Sequence, residues 1–317
     1  MALPHSDLAP VSVLRSLNQV NRRLEGLLMA LRDQDSADTE LRALATELIA
    51  SVERSPDIAL AAIFLNQIAG SYAVRHCTEA AVIVCLIARA MGKPPAEMLI
   101  VTAAALTMNV GMVRQTDVFQ GRDCALSPEE RAQLRRHPSD SVDLLRWAGV
   151  TDEKWLELVL LHHENDDGSG YPEGRLGIQI SQNAKLIGLA DRYCAFVSAR
   201  NYRRSLLPPA ALENLAAESG MPVDHVVVAH FARAIGAYPP GTLVRLESGE
   251  MGVVSGRRNG LMGIPVHVLR GVDGRPLPLA QLRMSSEPGC AIAEALHDDY
   301  AKLRFTMRDI WGKWASI

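Results

Sequence analysis

Apolar residues recur at three- and four-residue steps through the first part of the chain, which is the spacing of one helix face. Polar residues 33–38 interrupt the first stripe, and a second begins at Leu41. We therefore predict a helical hairpin over residues 11–54. Because an isolated hairpin cannot bury both stripes, it packs on its own chain, which we favour, or forms a homodimer. The first stripe comprises Val13, Leu17, Val20, Leu24, Leu27, Leu28 and Leu31.

The helical spacing continues to about residue 238, and proline and glycine mark the ends of the elements. Ser127 and Pro128, followed by two glutamates, have the composition of a helix start. His162 closes one apolar helix, and Asp191 lies in the strongest helix of the second half. The predicted helices span residues 58–91 with a break at 70–71, 95–108, 127 onwards, 151–163, 181–200, 208–220 and 223–235.

After Tyr238-Pro239-Pro240-Gly241 the apolar period changes to two, which is typical of β-strands. Glycine-containing turns at Ser248-Gly249 and Asp273-Gly274 separate the apolar runs. A final stretch, residues 291–314, has helical spacing again and is predicted to be one amphipathic helix. The predicted strands are residues 242–246, 251–254 and 265–269.

These patterns predict a mainly α fold of four segments. Residues 1–55 form an N-terminal helical extension, and residues 56–238 form an all-helical core domain. Residues 239–284 form a small β module, and residues 285–317 form a C-terminal helix.

Composition excludes several classes of function. The 317 residues are 48% hydrophobic and 5% aromatic, which favours a helical protein, and the five cysteines lack C-x-x-C spacing, which indicates reduced thiols. A net charge of −3 provides no basic field for DNA or anionic membranes. The N-terminus lacks a signal-peptide pattern, and the longest apolar run, residues 98–108, is too short to span a bilayer. We expect a cytoplasmic protein.

The most distinctive stretch reads His162-His163-Glu164-Asn165-Asp166-Asp167-Gly168-Ser169-Gly170-Tyr171-Pro172. Two adjacent histidines at a helix end are often ordinary polar residues. Neutral imidazoles are also good ligands for iron, zinc or manganese. The glycines and the proline that follow allow a loop of fixed shape beside them.

This stretch resembles the HHE…DGxGYP signature of the HD-GYP family, and the similarity extends over about residues 56–238. The family's alanine-aspartate pair matches Ala190-Asp191, and its R-x-Y motif matches Arg200-Asn201-Tyr202 followed by Arg203. The resemblance implies an HD-domain-like helical core and a metal-dependent phosphodiesterase acting on cyclic di-GMP. It further implies metal ligands at His76, His137, His162, His163 and Asp191.

Other positions carry further expectations from the resemblance. Arg200 and Arg203 would contact the nucleotide. The loop residues Gly168, Gly170, Tyr171 and Pro172 would contact a GGDEF-type protein partner. From the residues alone, different interpretations remain open: His76 as a structural residue, His137 as a helix-end residue, Asp191 in a salt bridge, and the arginines as a solvated turn.

The family's namesake histidine-aspartate pair is missing. Family members read L-H-D-I-G-K where this chain reads Thr107-Met108-Asn109-Val110-Gly111-Met112, so Met108, Asn109 and Met112 replace His, Asp and Lys. A thioether is a weak ligand for these ions, and a neutral amide cannot bridge two cations. We therefore expect at most one divalent ion (Fe, Mn or Zn) unless another residue, such as Asp117 or Glu164, compensates.

Three hypotheses follow. We favour a degenerate HD-GYP signalling protein, impaired in catalysis, that binds cyclic di-GMP or a GGDEF-type partner through its GYP loop. The alternative is an active metal-dependent cyclic di-GMP phosphodiesterase with a rearranged metal site. The third is a scaffold in which the histidines are remnants.

Overall fold

Helices form the chain from Val13 to Ile235 and a five-stranded sheet follows, so the predicted mainly α fold class is confirmed. The structure is a computed structural model that describes residues 12–34, 36–120, 125–198, 205–217, 224–258 and 260–317. The principal helices are α1 (Val13–Met29), α2 (Asp38–Arg54), α3 (Pro56–Phe64), α4 (Tyr72–Ala90), α5 (Pro95–Thr107), α6 (Val113–Gln120), α7 (Pro128–Trp147), α8 (Glu153–Leu161), α9 (Gln182–Val197), α10 (Pro208–Ala217) and α11 (His225–Ile235).

The hairpin of α1 and α2 packs on its own chain, as favoured from the sequence. Ser12 caps α1 by accepting a hydrogen bond from the Arg15 amide. The apolar stripe of α1, from Val13 to Leu28, is buried in the same core as α4 and α5. The outward face of α1 carries Arg23, which pairs with Glu40 and Glu47 of α2. The apolar face proposed for a homodimer is thus covered within one chain.

Helix α7 begins at the predicted cap, where the Ser127 side chain and the third-residue glutamate form a capping box. It then continues through Pro138 and ends only at Trp147, so His137 lies inside the helix and not near its C-terminus. Pro138 has no amide N–H, which leaves the Leu134 carbonyl without its usual helical donor. That carbonyl oxygen is therefore free to accept a hydrogen bond from another donor.

The α4 and α5 helices form the centre of the core, and most of their side chains are buried. The stretch Pro95–Thr116, which comprises α5, a short 3-10 helix and the start of α6, is long and apolar enough to cross a membrane by length and composition, and it is longer than the apolar run predicted from sequence. About two thirds of it (67% of its apolar window) is buried inside the protein, as expected of a core helix.

The C-terminal module is an antiparallel sheet with strand order β4-β3-β2-β1-β5. The three predicted strands are present, and positive-φ glycines lie at both predicted turns, Gly249 between β1 and β2 and Gly274 between β3 and β4. The sequence missed two further strands, which form the two edges of the sheet. The strands are β1 (Leu243–Leu246), β2 (Met251–Val254), β3 (Pro265–Arg270), β4 (Pro276–Met284) and β5 (Ile292–Leu296).

The predicted C-terminal helix over residues 285–317 is wrong. Residues Ile292–Leu296 pair with β1, where Arg245 forms an ion pair of 3.1 Å with Glu294. Completing the open edge of β1 satisfies backbone groups that a helix would have left exposed there. The remainder forms the short helices α12 (Asp298–Ala301) and α13 (Met307–Trp311), which end at positive-φ residues.

Candidate metal centre

Helix α8 and the residue after it carry two of the candidate ligands. Asp152 caps α8 by accepting hydrogen bonds from two backbone amides, and Trp155 anchors the helix by donating to Thr107 Oγ1 at 2.9 Å. His162 then ends α8 against α9. At the contact, a Cβ on Gly188 would lie 2.3 Å from the His162 carbonyl oxygen, so only glycine permits this approach.

Three histidines converge beneath this contact. The Nε2 atoms of His137 and His162 lie 3.3 Å apart, and one ligand nitrogen from each of His137, His162 and His163 lies within 4.8 Å of the others. His137 and His162 are buried, whereas His163 is partly exposed. We call these three residues the histidine triad.

Backbone carbonyls fix two of the three rings. His137 Nδ1 lies 2.6 Å from the Leu134 carbonyl oxygen that Pro138 leaves free. His162 Nδ1 lies 2.7 Å from the Val159 carbonyl oxygen. Because a carbonyl can only accept, each Nδ1 carries the proton and each Nε2 presents a lone pair. Two lone pairs facing each other at 3.3 Å repel unless a cation or a proton lies between them.

Burial keeps the triad neutral near pH 7. It lowers the pKa of His137 to about 3, and the neighbouring His162 adds to that effect. Burial likewise lowers the pKa of His162, and it lowers the pKa of His163 well below the usual value. Metal ligation needs neutral imidazole, so the triad is already in the ligating protonation state.

His76 and Asp191, the other two predicted ligands, contact each other. His76 Nε2 lies 2.8 Å from Asp191 Oδ1, and both residues are buried. Burial alone would raise the pKa of Asp191, but the hydrogen bond from His76 and the nearby imidazoles outweigh it and the net pKa is lowered. Asp191 is therefore an ionised carboxylate near the triad, and one of its oxygens is taken by His76.

The replaced positions border this pair. Met108 is fully buried, and its carbonyl accepts from Ser141 Oγ at 3.0 Å. The Asn109 side chain hydrogen-bonds the thiol of Cys77, next to Asp191. Among the described residues, Asn109 Oδ1 and His76 Nδ1 are buried without a hydrogen-bond partner. Two orphaned acceptors in one buried region fit a place where a cation or water would bind.

Cys77, which the sequence predicted to be a reduced thiol, lies next to Asn109 and Asp191. Burial, with the Asp191 charge, raises its pKa to about 12. Cys77 is not among the described ligand atoms that converge at the triad. Its position next to His76 in the chain was the only signal that could have located it.

Glu164 holds the loop that follows the histidines. Its carboxylate accepts hydrogen bonds from the amides of Glu173, Gly174 and Arg175 at 2.7, 3.1 and 2.9 Å. These bonds occupy both oxygens, so Glu164 does not compensate for Asn109 as a ligand. The side chain of Asp117, the other candidate, lies outside the described residues.

The GYP loop closes over one side of the triad. A Cβ on Gly170 would lie 2.4 Å from the Asn165 amide nitrogen, so only glycine fits. Tyr171 stacks on His163 with ring centroids 4.7 Å apart, and the Tyr171-Pro172 peptide is cis. Gly168 has φ +79° at the preceding turn. The four loop residues thus form a defined surface beside the triad.

Two arginines that were not among the predicted site residues lie at the same loop. The Arg135 guanidinium lies 5.0 Å from the Tyr171 ring centroid, and Arg192 Nη1 donates to Asn165 Oδ1 at 3.2 Å. Arg200 and Arg203, predicted to contact a nucleotide, lie outside the described residues. No sequence pattern marked Arg135, because its role depends on the position of α7 beside the loop.

Residues 61–227, more than half of the chain, match the family model described as HD domain. This chain belongs to the HD domain family. The family is metal-dependent, and within the described residues of this HD domain the ligand atoms converge at the histidine triad. A three-histidine set leaves open positions on a borderline ion such as zinc, which suits binding of water or a phosphate oxygen.

Known relatives place this HD domain in the HD-GYP group. The chain is 31% identical over 211 residues to the protein named cyclic di-GMP phosphodiesterase PA4108 of Pseudomonas aeruginosa, covering 67% of this chain and 50% of that protein. It is 31% identical over 143 residues to the cyclic di-GMP phosphodiesterase response regulator RpfG of Xanthomonas campestris pv. campestris, covering 44% of this chain and 37% of that protein. The chain thus spans about half or less of these relatives' length.

The fold of this HD domain is also found in a solved structure. Bd1817, described as an HDG"Y"P protein from Bdellovibrio bacteriovorus, matches with a TM-score of 0.58 at 14% identity. The match covers 71% of this chain and 73% of that one. At this identity the match supports the helical architecture alone.

Proposed function

We propose that this protein acts in cyclic di-GMP signalling, holds one divalent ion on the histidine triad, and is impaired in hydrolysis. The proposal rests on the residues of the site outside the triad. Asp191 is bound to His76, and a neutral Asn109 stands where a bridging carboxylate is needed. Among the described residues, the three triad nitrogens are then the ligand atoms that converge closely enough to hold an ion.

The chemistry of the residues supports this division. A bound divalent ion would lower the pKa of a water molecule toward neutrality. Asp191 could accept a hydrogen bond from such a water through the oxygen that His76 does not use. Asn109 has no negative charge with which to hold a second cation or orient an attacking hydroxide. We therefore expect the site to retain ligand binding more fully than hydrolysis.

A nucleotide with two phosphates suits the charges around the triad. Arg135 and Arg192 present guanidinium groups at the GYP loop, where forked hydrogen bonds to phosphate oxygens can form. The family resemblance implies that Arg200 and Arg203 also contact the nucleotide. The names of the relatives direct the choice of nucleotide to cyclic di-GMP.

Calorimetric titration with cyclic di-GMP, on metal-loaded and chelator-treated protein, tests binding, and chromatography of the same mixtures tests hydrolysis. We expect saturable binding to the loaded protein, with the dinucleotide recovered intact. His163→Ala should weaken binding, whereas the exposed His225→Ala serves as a matched control. No saturable heat at high micromolar nucleotide would remove the nucleotide part of the proposal.

A second candidate is an active phosphodiesterase that uses one ion. The open coordination positions of a three-histidine set favour it, since one such ion is sufficient in other hydrolases. This candidate requires steady turnover that is abolished by both His163→Ala and Asp191→Ala. Turnover that survives either substitution would point to a contaminating enzyme.

The GYP loop is the surface we propose for a GGDEF-type partner. Glu164 fixes the loop, and the apolar side chain of Ile178, just beyond it, is 98% exposed. Exposed apolar residues on a fixed loop suit a protein interface. Ile178→Ser should weaken capture of a purified GGDEF domain without changing metal content. Tyr171→Ala should do the same, and unchanged capture by both variants would contradict the assignment.

A further inference from the structure

A cavity lies away from the triad, between the helical domain and the β module. Its volume is about 770 Å³. The ends of α3 and α9 form one wall, and β1 with the segment after β5 forms the opposite wall. This volume lies within the range of about 300–1,000 Å³ typical of small-molecule sites, which often occur where two structural units meet.

The walls combine apolar surface with an excess of negative charge. Phe64 and Leu206 line the helical side, and Leu303 and Phe305 line the side of the β module. The charged residues that line it include two carboxylates, Glu79 and Asp298, one guanidinium, Arg308, and the titratable His297. Such walls favour a ligand with an apolar body and a positive group.

Glu79 is the more deeply buried of the two carboxylates. It is 1% exposed, and its carboxylate accepts a hydrogen bond from Ser198 Oγ. Arg75 Nε lies 3.4 Å from the other oxygen, and Arg75 Nε makes no hydrogen bond within the described part of the chain. Burial of this carboxylate raises its pKa. The carboxylate is thus ion-paired with Arg75, but because that contact is not a hydrogen bond, a positively charged N–H donor of a ligand can still bind it.

The same two helices connect this cavity to the triad region. On α4, His76 and Glu79 are three residues apart, and on α9, Asp191 and Ser198 are seven residues apart. His76 binds Asp191 at one level, and Glu79 binds Ser198 at the next. A ligand that moves Glu79 therefore acts on the helix pair that positions His76 and Asp191.

We propose that this cavity binds a small organic cation, a protonated amine on an apolar body, which pairs with Glu79 and thereby changes the metal affinity of the triad. The binding part stands without the metal centre. The coupling part rests on the metal centre proposed above.

The first experiment is calorimetric titration of the whole metal-free chain with 2-phenylethylamine, with 3-phenylpropanoate as the anionic control. We expect saturable binding of the amine alone, at millimolar or better affinity, and about tenfold weaker binding to Glu79→Gln because a charge-assisted bond is lost. Leu303→Trp, which fills the cavity from the β module, should abolish it. No saturable heat, or binding unchanged in both variants, would overturn the site.

The second experiment measures zinc affinity by chelator competition with and without saturating amine. Coupling predicts a change of at least about threefold, and an equal change in amine affinity when zinc is bound. Binding of the amine with zinc affinity unchanged would overturn the coupling and leave the site. Failure of the chain to bind zinc at all would refute the metal centre and the coupling together, while the amine titration would still report on the site alone.

Discussion

The two halves of the candidate metal centre, the histidine triad and the His76–Asp191 pair, both contain side chains that can bind a metal, but they differ in which atoms are free. In the triad, backbone carbonyls take the Nδ1 protons of His137 and His162, so their Nε2 lone pairs converge. In the other half, His76 gives its Nε2 to Asp191. A residue type that can ligate therefore says little about metal binding until the partner of its second polar atom is known.

The triad and the His76–Asp191 pair also differ in their electrostatics. The triad consists of neutral imidazoles whose pKa values are lowered by burial, so an ion can enter without displacing a proton. His76 and Asp191 already form a buried hydrogen-bonded pair, and breaking it would expose each partner to an uncompensated burial cost. We infer that an ion binds the triad in preference to the pair.

Removing one ligand from each half should give the largest contrast. His163→Ala should lower zinc or manganese affinity by about hundredfold or more, because a direct ligand is worth at least as much as the residues that orient it. His76→Ala should change it less than about tenfold, through Asp191 alone. Elemental analysis and chelator competition provide the measurement. Equal losses in both variants would show that the two halves act as one site.

Restoring the family's pair should remove the difference between the halves. Met108→His adds a ligand, and Asn109→Asp puts a carboxylate in place of the unpaired Asn109 amide oxygen, near the unpaired His76 Nδ1. We expect a second ion per chain and an increase of about hundredfold in hydrolysis of cyclic di-GMP, because well-placed charge at a reacting centre is worth that much. Elemental analysis and product chromatography test both expectations.

Met112→Lys is the matched control for that experiment. It restores the third family residue at a half-buried position but supplies no ligand or carboxylate. It should leave ion content and turnover unchanged. A wild-type protein that already turns over as fast as the restored variant would contradict the proposed impairment.

The sequence alone predicted the helices well, because long apolar stripes leave few alternatives. It failed at the sheet edges, where β5 reads Ile292-Ala293-Glu294-Ala295-Leu296 and its apolar residues also fit helical spacing. Pairing with β1 decides that segment, and pairing depends on residues distant in the chain. Local pattern cannot supply such information.

For the site, the candidate ligands could be predicted from the sequence, but the contacts between them could not. Family resemblance supplied the five candidate ligands, but not the contact between His76 and Asp191, which depends on how α4 meets α9. One structural detail follows from the sequence alone. A histidine directly before a proline inside a helix has an unbonded carbonyl three residues earlier, which here is Leu134.

Pro138→Ala tests that detail with a smaller effect. The new amide would compete with His137 Nδ1 for the Leu134 carbonyl, so the ring would be less well fixed. We expect zinc affinity to fall by about tenfold, the usual cost of losing an orienting hydrogen bond to a ligand. Helix stability should not fall, because alanine favours helix more than proline. Thermal unfolding of the metal-free variant separates these effects, and unchanged zinc affinity would contradict the proposed role.

The smallest expected effect is on pH dependence without metal. The folded pKa of His137 is about 3, below the unfolded value of about 6.5, so between these values only the unfolded chain binds the proton. Stability therefore falls as pH falls, and one such histidine accounts for about 1 kcal/mol between pH 6.5 and 5.5. His137→Asn should reduce the loss of unfolding free energy in chelator-treated protein by that amount. The exposed His225→Asn serves as the matched control and should leave this loss unchanged. Equal acid sensitivity in His137→Asn and wild type would mean that the triad is not held neutral by burial.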